Sequence, residues 1–153
     1  MITHTGRVRL NSYRFRDTWV IPAPMPAVFC AVVDLASYPQ WWPDVRSVTK
    51  IDENTAEIVC QATLPYRLVV RMRRTEENEP AGRLAVDLDG DLRGSLAARV
   101  RTHLNGTTLD IHQDVVATKQ LLRSLAPVAR PLFQVNHALM MRRGQRGLRA
   151  RLT

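Results

Sequence analysis

One carboxylate stands on the apolar side of an alternating run. From Tyr13 to Ile21, the residues Tyr13, Phe15, Asp17, Trp19 and Ile21 share one face, and Arg14, Arg16, Thr18 and Val20 share the other. That is the period of a strand. On such a face Asp17 must be paired, hydrogen-bonded or protonated, because an unpaired buried charge is costly. If it faces a cavity, desolvation raises its pKa and suits it to general acid or base work on an enolisable substrate. If Gln113 on a neighbouring strand or Arg143 on the terminal helix satisfies it, it is a structural feature, which is the preferred expectation.

The remaining reactive side chains offer less. His4 lies in a loose terminus, and His103 and His112 fall on outward strand faces. His137 sits about 100° from Asn136 on the flank of a helix, where a structural role at a pocket edge is favoured over a hydrogen bond to a ligand. Cys30 and Cys60 are isolated in apolar runs and read as buried free thiols, not as a metal motif. No Gly-rich phosphate loop, nucleophile elbow or His pair at helical spacing is present, so neither a metal nor another cofactor is expected.

The aromatic and apolar residues point to binding. Tyr13, Phe15, Trp19, Trp41, Trp42, Tyr66, Met72, Leu96, Phe133 and Met140, with Gln113 and Asn136 as polar members, have the composition of a small-molecule pocket. Trp41 and Trp42 follow one another in Leu35 to Val45, which is too short and proline-bound for a long helix and reads as a bent helical corner carrying heavy aromatic area. From an extended corner they cannot both point inward, so one is expected beneath the sheet mouth and the other lining or lidding the cavity.

These side chains need elements to position them. Lys119 to Leu152 reads as an amphipathic helix with Leu121, Leu122, Val128, Ala129, Leu132, Phe133, Asn136, Leu139, Met140 and Arg143 on one side. Pro127 and Pro131 predict a bend or restart near Ala126, and Gly144 and Gly147 predict fraying beyond Arg143. After β-type Tyr13 to Ile21, Pro26 opens a helix of about two turns. From Val45 onward the period is two, with strands to Ile51, from Ala56 to Leu64, from Tyr66, from Leu84, from Leu92 and from Leu109 to Ala117. Asn105-Gly106 is the strongest hairpin signal.

Outward arginines on the Tyr66 and Leu92 strands alternate with outward aspartates on the Leu84 and Leu109 strands, and Arg14 and Arg16 stand on the first strand. Opposite charges across neighbouring strands favour pairing. The columns alternate only if those four strands are neighbours in chain order and the first strand closes beside the last. The expected architecture is α+β: one curved antiparallel sheet around a long carboxyl-terminal helix, with two short helices after strand one.

At 153 residues the chain fits one domain, 1–153 with a core at about 11–152. Residues 1–118 carry fourteen basic and fourteen acidic side chains, whereas 119–153 carry eight basic ones and no acid, the whole net +8. A surface for anionic lipid, RNA or an acidic protein is one reading, resting on Arg142, Arg143, Arg146 and Arg149; a solvated, dipole-favoured helix end is the preferred one. Surface aromatics for base stacking are not evident there, which disfavours nucleic acid. No signal peptide core or run of about 18 apolar residues occurs, and a cytoplasmic location is expected.

Trp19-Val-Ile-Pro-Ala-Pro, Val28-Phe29, Val33-Asp34 and Tyr38-Pro39-Gln40-Trp41-Trp42-Pro43 resemble the amino-terminal half of the polyketide cyclase/dehydrase family in the START-like, helix-grip superfamily. Leu64-Pro65-Tyr66, Gly90-Asp91-Leu92-Arg93-Gly94, Ala126-Pro127, Arg130-Pro131, Asn136-His137 and Met140-Met141-Arg142-Arg143-Gly144 resemble the rest, over residues 11 to 152. The resemblance implies seven strands gripping the long helix, and a pocket for an apolar, aromatic or isoprenoid molecule. It does not imply catalysis, since carriers and aromatase/cyclases share such a fold. Binding is therefore expected over ring closure.

Overall fold

A computed structural model describes residues 11–63, 66–119 and 126–153, with side chains in the last segment from Arg130 onward. Its strands are β1 (Ser12–Ile21), β2 (Val45–Asp52), β3 (Thr55–Cys60), β4 (Leu68–Asn78), β5 (Arg83–Gly90), β6 (Leu92–His103) and β7 (Gly106–Ala117). Between β1 and β2 lie α1 (Met25–Val33), a 3-10 turn (Leu35–Ser37) and α2 (Tyr38–Trp41), and α3 (Ala126–Leu152) follows β7. Pro22 and Pro24 close β1, and Pro26 occupies the first turn of α1, where its missing N–H has no partner to lose.

All seven strands join one antiparallel sheet in the order β1-β7-β6-β5-β4-β3-β2. The alternating charge columns are therefore real neighbours. Arg73 reaches Asp87 at 3.2 Å, Arg93 reaches Asp89 at 3.5 Å, Arg14 reaches Asp114 at 3.4 Å, and Arg101 pairs with Asp110. Each exposed pair adds less than about 1 kcal/mol. Their effect is on register, since a one-residue slip would turn every arginine towards the core.

The sheet bends where side chains are absent or register shifts. Gly94 adopts φ +152°, and a Cβ there would lie 2.0 Å from the Asp114 carbonyl oxygen. The β4–β5 register jumps between Arg74 and Glu76, the local irregularity that lets a strand curl. The β6–β7 hairpin turns at Leu104-Asn105, one residue before the expected Asn105-Gly106, with His103 opposite Gly106. Gly106 instead permits a close approach: a Cβ on it would come 2.3 Å from the Ile21 carbonyl oxygen, where β7 passes the end of β1.

The long helix lies against the concave face, but rolled relative to the expected stripe. Its buried line is Phe133, Asn136, Met141, Gly144 and Leu148, while Leu132 is 52% exposed and Leu139 half-buried. The expectations for Leu121, Leu122, and the side chains of Val128 and Ala129, fall outside the described residues, as do those for His4, Leu64 and Pro65.

The expected fraying beyond Arg143 does not occur, because α3 continues to Leu152. Gly144 and Gly147 are contact points, not weak points. A Cβ on Gly144 would lie 2.6 Å from the Trp42 ring and 2.7 Å from that of Trp19, and one on Gly147 would lie 1.7 Å from the Trp41 carbonyl oxygen. The two glycines let the helix backbone rest on the tryptophan corner, and this contact sets the roll.

Candidate functional site

The tryptophan corner is helical, as its sequence predicts. Trp41 ends α2 and Trp42 caps it, so successive side chains diverge by a helical step and both turn inward, at 7% and 9% exposure. Their rings stack at 5.6 Å, Trp42 meets Trp19 edge-on at 5.4 Å, and the Trp42 indole N–H donates to the Met140 carbonyl oxygen at 2.9 Å. The expectation that only one of the pair faces inward is thus corrected.

Between this corner, the concave sheet face and α3 lies a cavity of about 560 Å³, within the roughly 300–1,000 Å³ of sites for drug-sized molecules. Trp19, Trp41, Trp42, Tyr66, Met72, Leu96, Gln113, Phe133, Asn136 and Met140 all line it. Tyr13 and Phe15 do not. They stand behind the wall, Tyr13 stacked on Phe133 at 4.5 Å and Phe15 on the His137 ring at 3.6 Å, and so hold lining residues in place. Sequence reasoning left out Val33, Leu35, Ile58, Leu88 and Ile111, ordinary strand and helix apolars whose inward periodicity was the only available signal.

The two ends of the cavity differ. Around the β2–β3 turn it is lined by the exposed Lys50, Asp52, Glu53, Arg74, Glu76 and Glu77, which form a charged mouth. At the other end of β3 the described polar side chains that line it are neutral. There Asn136 Oδ1 accepts the Thr63 backbone N–H at 2.9 Å, Asn136 Nδ2 donates to the Tyr66 hydroxyl at 3.3 Å, and His137 Nε2 lies 3.1 Å from Gln113 Oε1. Burial pushes His137 down to about 4, so the imidazole is neutral. Burial raises Tyr66, with the Asn136 bond opposing.

Asp17 lies outside the cavity lining. Neither expected partner reaches it, since Gln113 engages His137 and Arg143 engages Asp44. Partial burial raises its pKa, yet without access to the cavity it has no bound molecule to protonate. The charge that sequence reasoning overlooked is Asp44, 2% exposed and gripped by the Arg143 guanidinium. A lone aspartate after a proline gives no hint of that.

The thiols also differ from expectation. Cys30 is exposed on the outer side of α1, and Cys60 is half-buried in the cavity wall, where burial pushes its thiol up to about 12. Such a thiol is a poor nucleophile at neutral pH. His103 and His112 are exposed. Among the described residues no three His, Cys, Asp or Glu side chains gather as a metal site, and no helix is long and apolar enough to cross a membrane.

Two of the four arginines considered for docking have other partners. Arg143 holds Asp44, and Arg149 Nε donates to the Val20 carbonyl oxygen at 2.7 Å, while Gln145 Oε1 accepts the Val20 N–H at 2.8 Å. Arg130 donates to the Ser12 carbonyl oxygen at 2.8 Å. Helix side chains thereby cover both ends of the free edge of β1, where unpaired backbone groups would otherwise invite another strand.

The fold is similar to many solved structures. The Zhui aromatase/cyclase from Streptomyces sp. R1128 superposes with a TM-score of 0.78 at 14% identity, over 92% of this chain and 93% of that one. A START superfamily protein from Mycobacterium smegmatis superposes with a TM-score of 0.70 at 14% identity, over 92% and 96%. The di-domain aromatase/cyclase BexL from the BE-7585A biosynthetic pathway gives 0.70 at 17%, over 97% of this chain and 53% of that one. No curated protein matches by sequence. The family model described as polyketide cyclase/dehydrase and lipid transport matches residues 21–109, more than half of the sequence, and the chain belongs to that family.

Proposed function

We propose that this protein binds a hydrophobic small molecule, aromatic, polyketide-like or isoprenoid, in the cavity between sheet and α3. The observation that carries the reading is the cavity itself, about 560 Å³ with a mainly aliphatic and aromatic wall. Its likeness in fold to aromatase/cyclases and to a START superfamily protein supports the ligand class. Holding and carrying fit better than bond-making. A cyclase or dehydrase step needs an acid or base facing the bound molecule with a tuned pKa. Here Asp17 stands outside, Cys60 stays protonated, and His137 is fixed between Phe15 and Gln113.

Trp19, Trp41 and Trp42 are built-in reporters. Native mass spectrometry of protein taken from its producing cell should show an added mass that denaturation releases, and apolar aromatics should quench the tryptophan emission. A bare protein with unmoved emission would overturn the reading.

A second reading concerns the outer face of α3. Arg142 and Arg146 are exposed there and have no hydrogen-bond or ion-pair partner among the described residues, whereas many sheet charges pair across strands. This pair is suited to weak contact with an anionic surface. Binding to anionic vesicles that survives Arg142→Glu with Arg146→Glu would dispose of it.

A further inference from the structure

The hydrogen-bonding capacity at the neutral end of the cavity can be counted. Asn136 commits its oxygen to Thr63 and one amide hydrogen to the Tyr66 oxygen. Gln113 turns its oxygen to His137, and completing that bond places the imidazole proton on Nε2. The two amide oxygens are therefore engaged, and Nδ1 of the imidazole keeps its lone pair. The Tyr66 O–H and the Gln113 amide hydrogens are donors with no partner among the described residues, and both side chains line the cavity.

Among the described residues no unpaired cation lines the cavity at this end: Arg143, whose Nη2 reaches the Thr63 hydroxyl at 3.3 Å, is held by Asp44 and stands outside the lining. The basic residues in the described lining, Lys50 and Arg74, stand at the mouth, where Lys50 faces Glu53 at 3.4 Å and Arg74 pairs with Glu77. They are separated from Tyr66 by the length of β3. His137 is uncharged at neutral pH. A carboxylate placed here would lose its hydration and meet no unpaired countercharge among the described residues, which is costly. A neutral oxygen acceptor would satisfy donors that a hydrocarbon leaves unmade.

We propose that Tyr66 and Gln113 form a donor site for a neutral carbonyl oxygen, so that the ligand is an apolar molecule carrying a ketone, quinone or ester at its leading end. This rests on the cavity-binding reading and names the class of molecule within it. The carbonyl enters first, and the apolar body lies along the tryptophan, leucine and methionine wall behind it. The charged mouth then faces whatever part of the ligand projects to solvent.

Three probes of one shape test it by quenching of tryptophan emission: 2-acetonaphthone, 2-ethylnaphthalene and 2-naphthoate, at pH 7. The ketone should bind several-fold more tightly than the hydrocarbon, with about fivefold expected for each donor engaged, and the carboxylate most weakly. Tyr66→Phe and Gln113→Leu should each cut the preference for ketone over hydrocarbon by about fivefold, and retained binding of the hydrocarbon shows that the variants are folded. Equal binding of ketone and hydrocarbon, or naphthoate binding as tightly as the ketone, overturns the carbonyl site while the cavity reading stands. Quenching by none of the three overturns both.

Discussion

The guanidinium of Arg143 closes a fork on the buried carboxylate of Asp44, with Nε at 2.9 Å from Oδ1 and Nη2 at 2.6 Å from Oδ2. The pair ties α3 to the segment between the tryptophan corner and β2, and Arg143 Nη2 also reaches the Thr63 hydroxyl at 3.3 Å. One ion pair thus fastens the helix to two sides of the cavity wall.

Removing one half of this pair leaves a charge stranded. Arg143→Leu should destabilise by about 3 kcal/mol, because the buried Asp44 side chain loses its countercharge and the hydrogen bonds of the guanidinium. Adding Asp44→Leu to it should recover much of that loss. Urea denaturation of the single and double variants measures both, and a single variant within about 0.5 kcal/mol of wild type would contradict the prediction.

Alanine at Gly147 should be harmful even though alanine favours helices by about 1 kcal/mol over glycine. The new Cβ would meet the Trp41 carbonyl oxygen at 1.7 Å, so the helix must lift from the corner. A net loss of at least about 2 kcal/mol is expected from this overpacking. A raised midpoint in thermal or urea unfolding would show that the helix does not seat there.

His137 makes stability pH-dependent. Its pKa falls from 6.5 to about 4 on folding, so between those values the unfolded chain binds the proton and the folded one does not. Its contribution is complete above pH 6.5 and is lost as pH falls towards 4, up to about 3 kcal/mol in all. His137→Gln should flatten that part of the stability profile. Asp17 acts in the opposite sense: its raised pKa opposes folding once it ionises, so Asp17→Asn should raise Tm at pH 7 and lose that advantage in acid.

The covering of the β1 edge is open to hydrogen exchange. In Gln145→Ala the Val20 amide loses its acceptor, and its exchange should speed up by about an order of magnitude or more while the Val100 amide, bonded to the Gly82 carbonyl, keeps its rate. Unchanged exchange at Val20 would mean that the helix does not guard this edge.

Much of the architecture was legible because strands announce themselves locally. A period of two assigns each side chain to a face, and the charge columns on the outer face predicted the order β4-β5-β6-β7-β1, which includes one long-range neighbour. Pro22, Pro24 and Pro26 marked the end of β1 and the start of α1. The apolar composition of Trp19, Trp41, Met72, Phe133 and Met140 pointed to a greasy wall, and these side chains do meet around one space.

The sequence by itself determined which residues are strand and which are helix, which faces are apolar, and that the carboxyl-terminal stretch carries the net charge. These depend on neighbours within a few positions. Tertiary structure alone decided the roll of α3, since glycines add nothing to a hydrophobic pattern yet permit the closest backbone approach, at Gly144 and Gly147. It also decided that Arg143 answers Asp44 and not Asp17, and that Tyr13 and Phe15 support the wall without lining it. Such choices are settled by a few ångströms between residues far apart in the chain, and periodicity along one element carries no measure of that distance.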